Sequence, residues 1–325
     1  MPIRAVILVL ALLIAAPVAA QSALELEAKI PLGEVSGRID HLAIDVANQR
    51  LFVAELGNDS VGVVDLVQRK TVNRLTGLDE PQGIGYVPST DTLYVACAGD
   101  GVVRLFQGPD LKAAAQVALG QDADNVRVDD AARRVFVGFG EGAIAVIDTA
   151  SGTRVGDIPL RAHPESFQLS AGQHMVVNVP DAHEIALVDR AVGKQIASWP
   201  TGELRANFAM AIDEVNERVL IAFRHPPTLG VYRADDGVRM STVETCADAD
   251  DVFVDDKRHR LYVSCGEGFE DVYAQQGAGY VRIARVTTSP GARTALYSPQ
   301  LDRLYVAQRS AGGNGAAVRV YRPVE

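Results

Sequence analysis

The chain has 325 residues, 48% of them hydrophobic and 22% charged, with 31 basic against 41 acidic side chains and a formal net charge of −10. That acidic balance argues against a general nucleic-acid or anionic-membrane binder, and 29 Gly and 15 Pro are too ordinary for collagen-like or low-complexity classes. Length alone suggests two domains; an internal repeat argues for one.

Residues 1–20 read as an export signal. Arg4 supplies the positive n-region, Ala5 to Ala16 is apolar, and Val18-Ala19-Ala20 is a small-residue cleavage site before Gln21. The apolar run is short for a membrane span and nothing later replaces it, so the expected product is periplasmic, or secreted, with no membrane span after cleavage; an uncleaved anchor is the alternative. An oxidising compartment allows cysteines to pair. Three are present, Cys97, Cys246 and Cys265, so one must stay free.

From residue 51 onward, seven short segments match one another: Leu51-Phe52-Val53-Ala54, Leu93-Tyr94-Val95-Ala96, Val135-Phe136-Val137-Gly138, Met175-Val176-Val177-Asn178, Val219-Leu220-Ile221-Ala222, Leu261-Tyr262-Val263-Ser264 and Leu304-Tyr305-Val306-Ala307. Their starts lie 42, 42, 40, 44, 42 and 43 positions apart. A period in the low forties filled with β-branched and aromatic runs is that of a four-stranded propeller blade. In each repeat an inner strand such as Leu42-Ala43-Ile44 precedes the matching segment. A third strand (Val61 to Asp65, Ala143 to Asp148) and a fourth (Arg154 to Leu160) follow, with Gly, Asp, Asn and Ser between them. The last repeat stops after a third strand, Val318 to Tyr321, while Leu26 to Gly33 reads like a fourth. The expected fold is therefore all-β: 21–325 as a single seven-bladed β-propeller of four-stranded blades, the last closed by the N-terminal strand. Closure removes the exposed edge that all-β folds must otherwise protect.

Repeats of the form Leu93-Tyr94-Val95-Ala96, followed by a Gly-Asp-Gly turn and a Val-rich strand, resemble those of the YVTN-type bacterial propellers, above all their exported, YncE-like members. The resemblance covers essentially the whole chain after the signal and implies the fold; it implies little about function, since propellers serve as binding proteins, scaffolds and enzymes. Arg38-Ile39-Asp40-His41, His163-Pro164-Glu165-Ser166-Phe167 and Asp248 to Phe253 also resemble a narrower set of such proteins.

Aligning the repeats sorts the polar residues. Six places before each segment stand Asp45, Asp129, Asp213 and Asp255, which read as turn residues of the first hairpin. Ten and eleven places before it the residues differ from blade to blade: Asp40 and His41, Gln82 and Gly83, Asp124 and Asn125, Asp250 and Asp251, Arg293 and Thr294, with His163, Glu165 and Asn207 nearby in the shifted repeats. Loops at one rim are where function concentrates. Asp40, Asp124, Asp250 and Asp251 with His41 and His163 are candidate ligands for one divalent cation. His41 and Glu165 are candidate acid–base residues, and Arg38, Asn125, Asn207 and Arg293 candidate ligand-binding groups. The competing reading is that the arginines neutralise the acids in structural ion pairs.

Cys246 and Cys265 fall on neighbouring blades at the same face, so a disulfide is expected between them, leaving Cys97 free. Gly138 to Gly142 joins two strands and opens no helix, so it is a turn rather than a phosphate loop; no GxSxG or HExxH sequence occurs, and Trp199 reads as packing. The favoured function is an exported, monomeric scaffold binding a small polar ligand or another periplasmic protein. The alternatives are a metal-dependent lactonase or lyase, of the kind other propellers host although the lactonase metal motifs are missing here, and a metal-handling or redox accessory protein.

Overall fold

The computed structural model describes residues 22–325; the expected export signal, residues 1–20, lies outside them. Seven four-stranded antiparallel sheets follow one another along the chain, forming a seven-bladed β-propeller. Blade 1 runs Leu42–Asp45, Arg50–Glu55, Ser60–Asp65 and Lys70–Thr76 from the inside outward, and the other blades repeat that order. Blade 7 takes three strands from the C-terminal end and its outermost strand, Leu24–Gly33, from the N-terminal end. Leu24 pairs with Pro323, Ile30 with Val318 and Gly33 with Ala316, so the ring closes through main-chain hydrogen bonds as expected.

The stacking of the blades explains where the apolar residues go. Blades stack face to face, so a middle strand is covered on both sides, and its sequence is a continuous apolar run rather than an alternating one. Arg50–Glu55 and Arg260–Cys265 are buried at every position but the first. Among the described residues seven apolar clusters form, one in each gap between neighbouring blades. Phe52, Val61, Ile84 and Leu93 fill the gap between blades 1 and 2. Ile30, Val318, Leu42 and Val53 fill the gap between blades 7 and 1, so the closing strand contributes apolar packing as well as hydrogen bonds. Trp199 packs between blades 4 and 5 with Leu204 and Tyr232.

The repeated aspartates are turn residues. Asp45, Asp129, Asp213 and Asp255 accept the main-chain N–H three residues ahead, at 2.9–3.2 Å. Cys246 and Cys265 form a disulfide with Cα atoms 5.8 Å apart, and Cys97 is buried and free. Cys246 follows the outer strand of blade 5, which ends at Glu244, and Cys265 is the last residue of the second strand of blade 6. Among the described residues no helix is long and apolar enough to cross a membrane.

Candidate functional site

The loops entering the innermost strands meet at one end of the ring. A repeated main-chain device fixes them. In blade 1, Asp40 N donates to Ala54 O (2.8 Å) and Ala54 N to His41 O (3.0 Å). In blade 3, Asp124 N donates to Gly138 O and Gly138 N to Asn125 O; in blade 4, Glu165 N donates to Asn178 O and Asn178 N to Ser166 O. Each loop is thus tied to the second strand of its own blade. The same two sequence positions are presented at the mouth in turn, with backbone held and side chain free to vary. Blade 2 carries Gly83 there, and a Cβ on it would lie 2.0 Å from the carbonyl oxygen of Asp124. Only glycine lets blades 2 and 3 approach so closely.

A cavity of about 340 Å³ opens where these loops converge, within the range of small-molecule sites. Of the residues singled out from sequence, Arg38, Asp40, His41, Asp124, Asn125, His163, Glu165, Asp250 and Arg293 line it. Asn207 and Asp251 do not. The Asn207 amide donates to Asn178 Oδ1 (3.1 Å) and Glu184 O (3.0 Å), tying blade 4 to blade 5. Asp251 accepts the main-chain N–H of Ala295 at 2.8 Å, tying blade 6 to blade 7.

One side of the cavity is a network of ion pairs. Arg38 donates to Asp40 Oδ2 at 2.8 Å. Asp250 is held between Arg293, whose Nε lies 2.8 Å from Oδ2, and Arg224, bonded to Oδ1. Arg293 also reaches Asp248 at 3.1 Å, and the Arg224 guanidinium stacks 3.8 Å from the Phe208 ring centroid. Burial still raises the Asp40 and Asp250 carboxyls above their ordinary value, against the pull of these arginines. The opposite side, from blades 3 and 4, carries Asp122, Asp124 and Glu165. Burial pushes Asp124 well above the carboxylate range, and Asp40, Glu165, Asp122 and Asp250 push it further. Burial likewise brings Glu165 to about 7, opposed by His163 and Arg224 and assisted by Asp250 and Asp40. Asp124 Oδ1 and Asn125 Oδ1 are buried without a hydrogen-bond partner among the described residues.

The two imidazoles differ. His41 is lowered to about 4, first by burial and then by Arg127, with Asp250 opposing and Arg293 and Arg38 assisting, so it is neutral at working pH. His163 Nδ1 donates to Gly140 O at 2.6 Å, which leaves its Nε2 as an acceptor in the neutral ring. Among the described residues no group of three or more His, Cys, Asp or Glu side chains is placed to hold a metal ion. The candidate ligands are instead spread around the wall.

Arg224, Phe208, Asp122 and Ser166, outside the sequence candidates, also line the cavity, as does Gln82, which the register places at the rim in blade 2. Phe208 occupies the position of Asp40 and Asp124 in its own repeat, so the period locates it; only its apolar character hid it among polar candidates. Arg224 lies near the end of a second strand, where no alignment of loops points. Arg205 lies outside this cavity and lines an adjoining one of about 570 Å³ with His183 and His225.

No family model matches the chain, and no curated protein does. Solved structures do. A chain of hydrazine synthase from Kuenenia stuttgartiensis is 15% identical, with a TM-score of 0.74, over 85% of this chain and 94% of that one. A chain of a mitotic checkpoint complex is 14% identical, with a TM-score of 0.79, over 98% of this chain and 99% of that one. Likeness at this identity is likeness of fold, and the site has to be read from its own residues.

Proposed function

We propose that the protein is an exported propeller of the YVTN kind that binds a small polar ligand in the cavity at the mouth of its ring. The observation that carries this reading is the pair of buried, unpartnered acceptors, on Asp124 and Asn125, in the wall of a cavity large enough for a small molecule. Buried polar groups are ordinarily satisfied, and those left open point to a missing partner. Export rests on the N-terminal segment alone and follows from it. A thermal-shift screen of polar metabolites against the wild type and Gln82→Trp tests the binding. Gln82 sits partly exposed on the cavity wall, so a bulky side chain there obstructs the cavity without entering the core. A ligand that raises the melting temperature of the wild type alone supports the reading. Equal responses from the two proteins, or no response from either, would sink it.

A second reading has its own support. A carboxyl titrating at about 7 in the same cavity as a neutral imidazole is suited to moving a proton at neutral pH, as a lyase or lactonase requires. Turnover of a ligand found in the screen, lost in both Glu165→Gln and His41→Gln, would favour the enzyme over the scaffold.

A further inference from the structure

The cavity is electrically lopsided. Around Asp40 and Asp250 the carboxylates are met by the guanidiniums of Arg38, Arg224 and Arg293. Across the cavity, Asp122, Asp124 and Glu165 face no guanidinium within ion-pair distance among the described residues: His163 Nδ1 lies 3.5 Å from Asp122 but is already engaged by Gly140 O, and Arg127 and Arg224 reach Asp124 and Glu165 only through their fields. In all, five carboxyls line the cavity against three guanidiniums. On this same side, Asp124, 8% exposed, and Asn125, 2% exposed, have oxygens that no donor among the described residues satisfies. Two deficits therefore coincide in one place: hydrogen-bond donors, and the positive charge without which burial keeps the proton on Asp124.

Resting on the binding reading above, we infer that the ligand of this cavity is an organic cation with N–H donors, a primary or secondary amine in its ammonium form, seated against Asp124, Asn125 and Glu165. An ammonium group supplies both missing things from one atom, with up to three donors around a compact charge. A neutral polyol brings donors and leaves the charge unanswered. A carboxylate brings no donor and adds charge of the wrong sign. A divalent cation brings charge but asks for six or more converging oxygens, and the acidic and imidazole groups here do not converge as a metal site.

The inference is tested by titration calorimetry of the full chain with matched probes: 1,4-diaminobutane and 4-aminobutanol as amines, 1,4-butanediol as the neutral counterpart, succinate as the anionic one, and calcium chloride. The amines are expected to bind the wild type, to weaken about tenfold or more in Asp124→Asn, as losing a charge-assisted hydrogen bond predicts, and to lose binding in Gln82→Trp. Asp124→Asn removes only a buried acid, so an unchanged or higher melting temperature separates lost recognition from lost folding. Binding of the diol, succinate or calcium without the amines, still abolished by Gln82→Trp, overturns the inference and leaves the cavity as a binding site. Amine binding unaffected by Asp124→Asn overturns it as well. Failure of every probe overturns it too, and the metabolite screen then decides the fate of the wider reading.

Discussion

Replacing Glu165 by Gln keeps the shape of the side chain and removes its charge, and the structure fixes what that should do to stability. The folded carboxyl is held at about 7 against an ordinary value of 4.5. An acid raised in the folded state favours folding when protonated, so its contribution is full below the unfolded value, falls as pH rises through 4.5 to 7, and is spent above. At about 1.36 kcal/mol per pH unit the upper limit of the cost is roughly 3 kcal/mol. The side chain keeps some exposure, and screening by solvent brings the expected figure to about 2 kcal/mol. Glu165→Gln should thus match the wild type near pH 4 and exceed it by about 2 kcal/mol near pH 8, roughly 4 °C in melting temperature. Urea unfolding of both proteins across that range is the assay. Taking the difference between them cancels His41, whose slope runs the other way. Parallel curves throughout would show that Glu165 titrates in the folded protein as it does in the unfolded chain and that its side of the cavity imposes no cost on its charge.

Other consequences can be measured directly. His41, lowered to about 4 by burial and the arginines around it, should show the proton NMR shifts of a neutral ring at pH 5.5; its charging costs the fold stability as pH falls from 6.5 to about 4, and a midpoint above 6 would contradict that environment. Gly83→Ala forces a Cβ against the Asp124 carbonyl and should destabilise by about 1–3 kcal/mol through overpacking, with chemical-shift changes centred on Asp124 and Asn125; a neutral effect in chemical denaturation would mean the blades separate easily there. Replacing Cys246 and Cys265 together by Ser opens a cross-link between residues 19 apart, and should cost about 3 kcal/mol on the chain-entropy estimate; no loss in urea unfolding would show the denatured chain to be equally constrained without it.

The blades were legible because a four-stranded blade is a local object. Its strands pair with their sequence neighbours, so a period of about forty residues and the hairpin aspartates suffice to place Asp45 or Asp213 in a turn and Leu93 to Ala96 in a middle strand. Even the closing strand could be found, since a repeat lacking its last quarter and an orphan strand at the other end complete each other. The site was legible for the same reason and to the same depth. Register predicts that positions 40, 124 and 250 face one mouth. It does not tell which side chains of that ring are occupied by each other, because Arg224 with Asp250, Asn207 with Asn178, and Asp251 with Ala295 are contacts between blades, and their geometry depends on how the blades stack.

That division of labour has a consequence for how such a site works. The backbone bonds that fix Asp40, Asp124 and Glu165 belong to each blade's own ladder, so their positions do not depend on the side chains they carry. Charge can then be distributed around the ring by substitution alone, at no cost to the loops. Here it has been distributed unevenly: the guanidiniums that line the cavity come from blades 1, 5 and 7, Arg127 of blade 3 stacks on Phe167 and makes no ion pair, and the carboxyls of blades 3 and 4 have no guanidinium paired to them among the described residues. Were the ion pairs only structural, the acids of blades 3 and 4 would be expected to have arginines too, since burying a carboxyl unpaired is the costlier choice. An unpaired Asp124, pushed up first by burial and then by Asp40, Glu165, Asp122 and Asp250, is a liability to the empty fold and makes sense as one half of a contact whose other half is brought by the ligand.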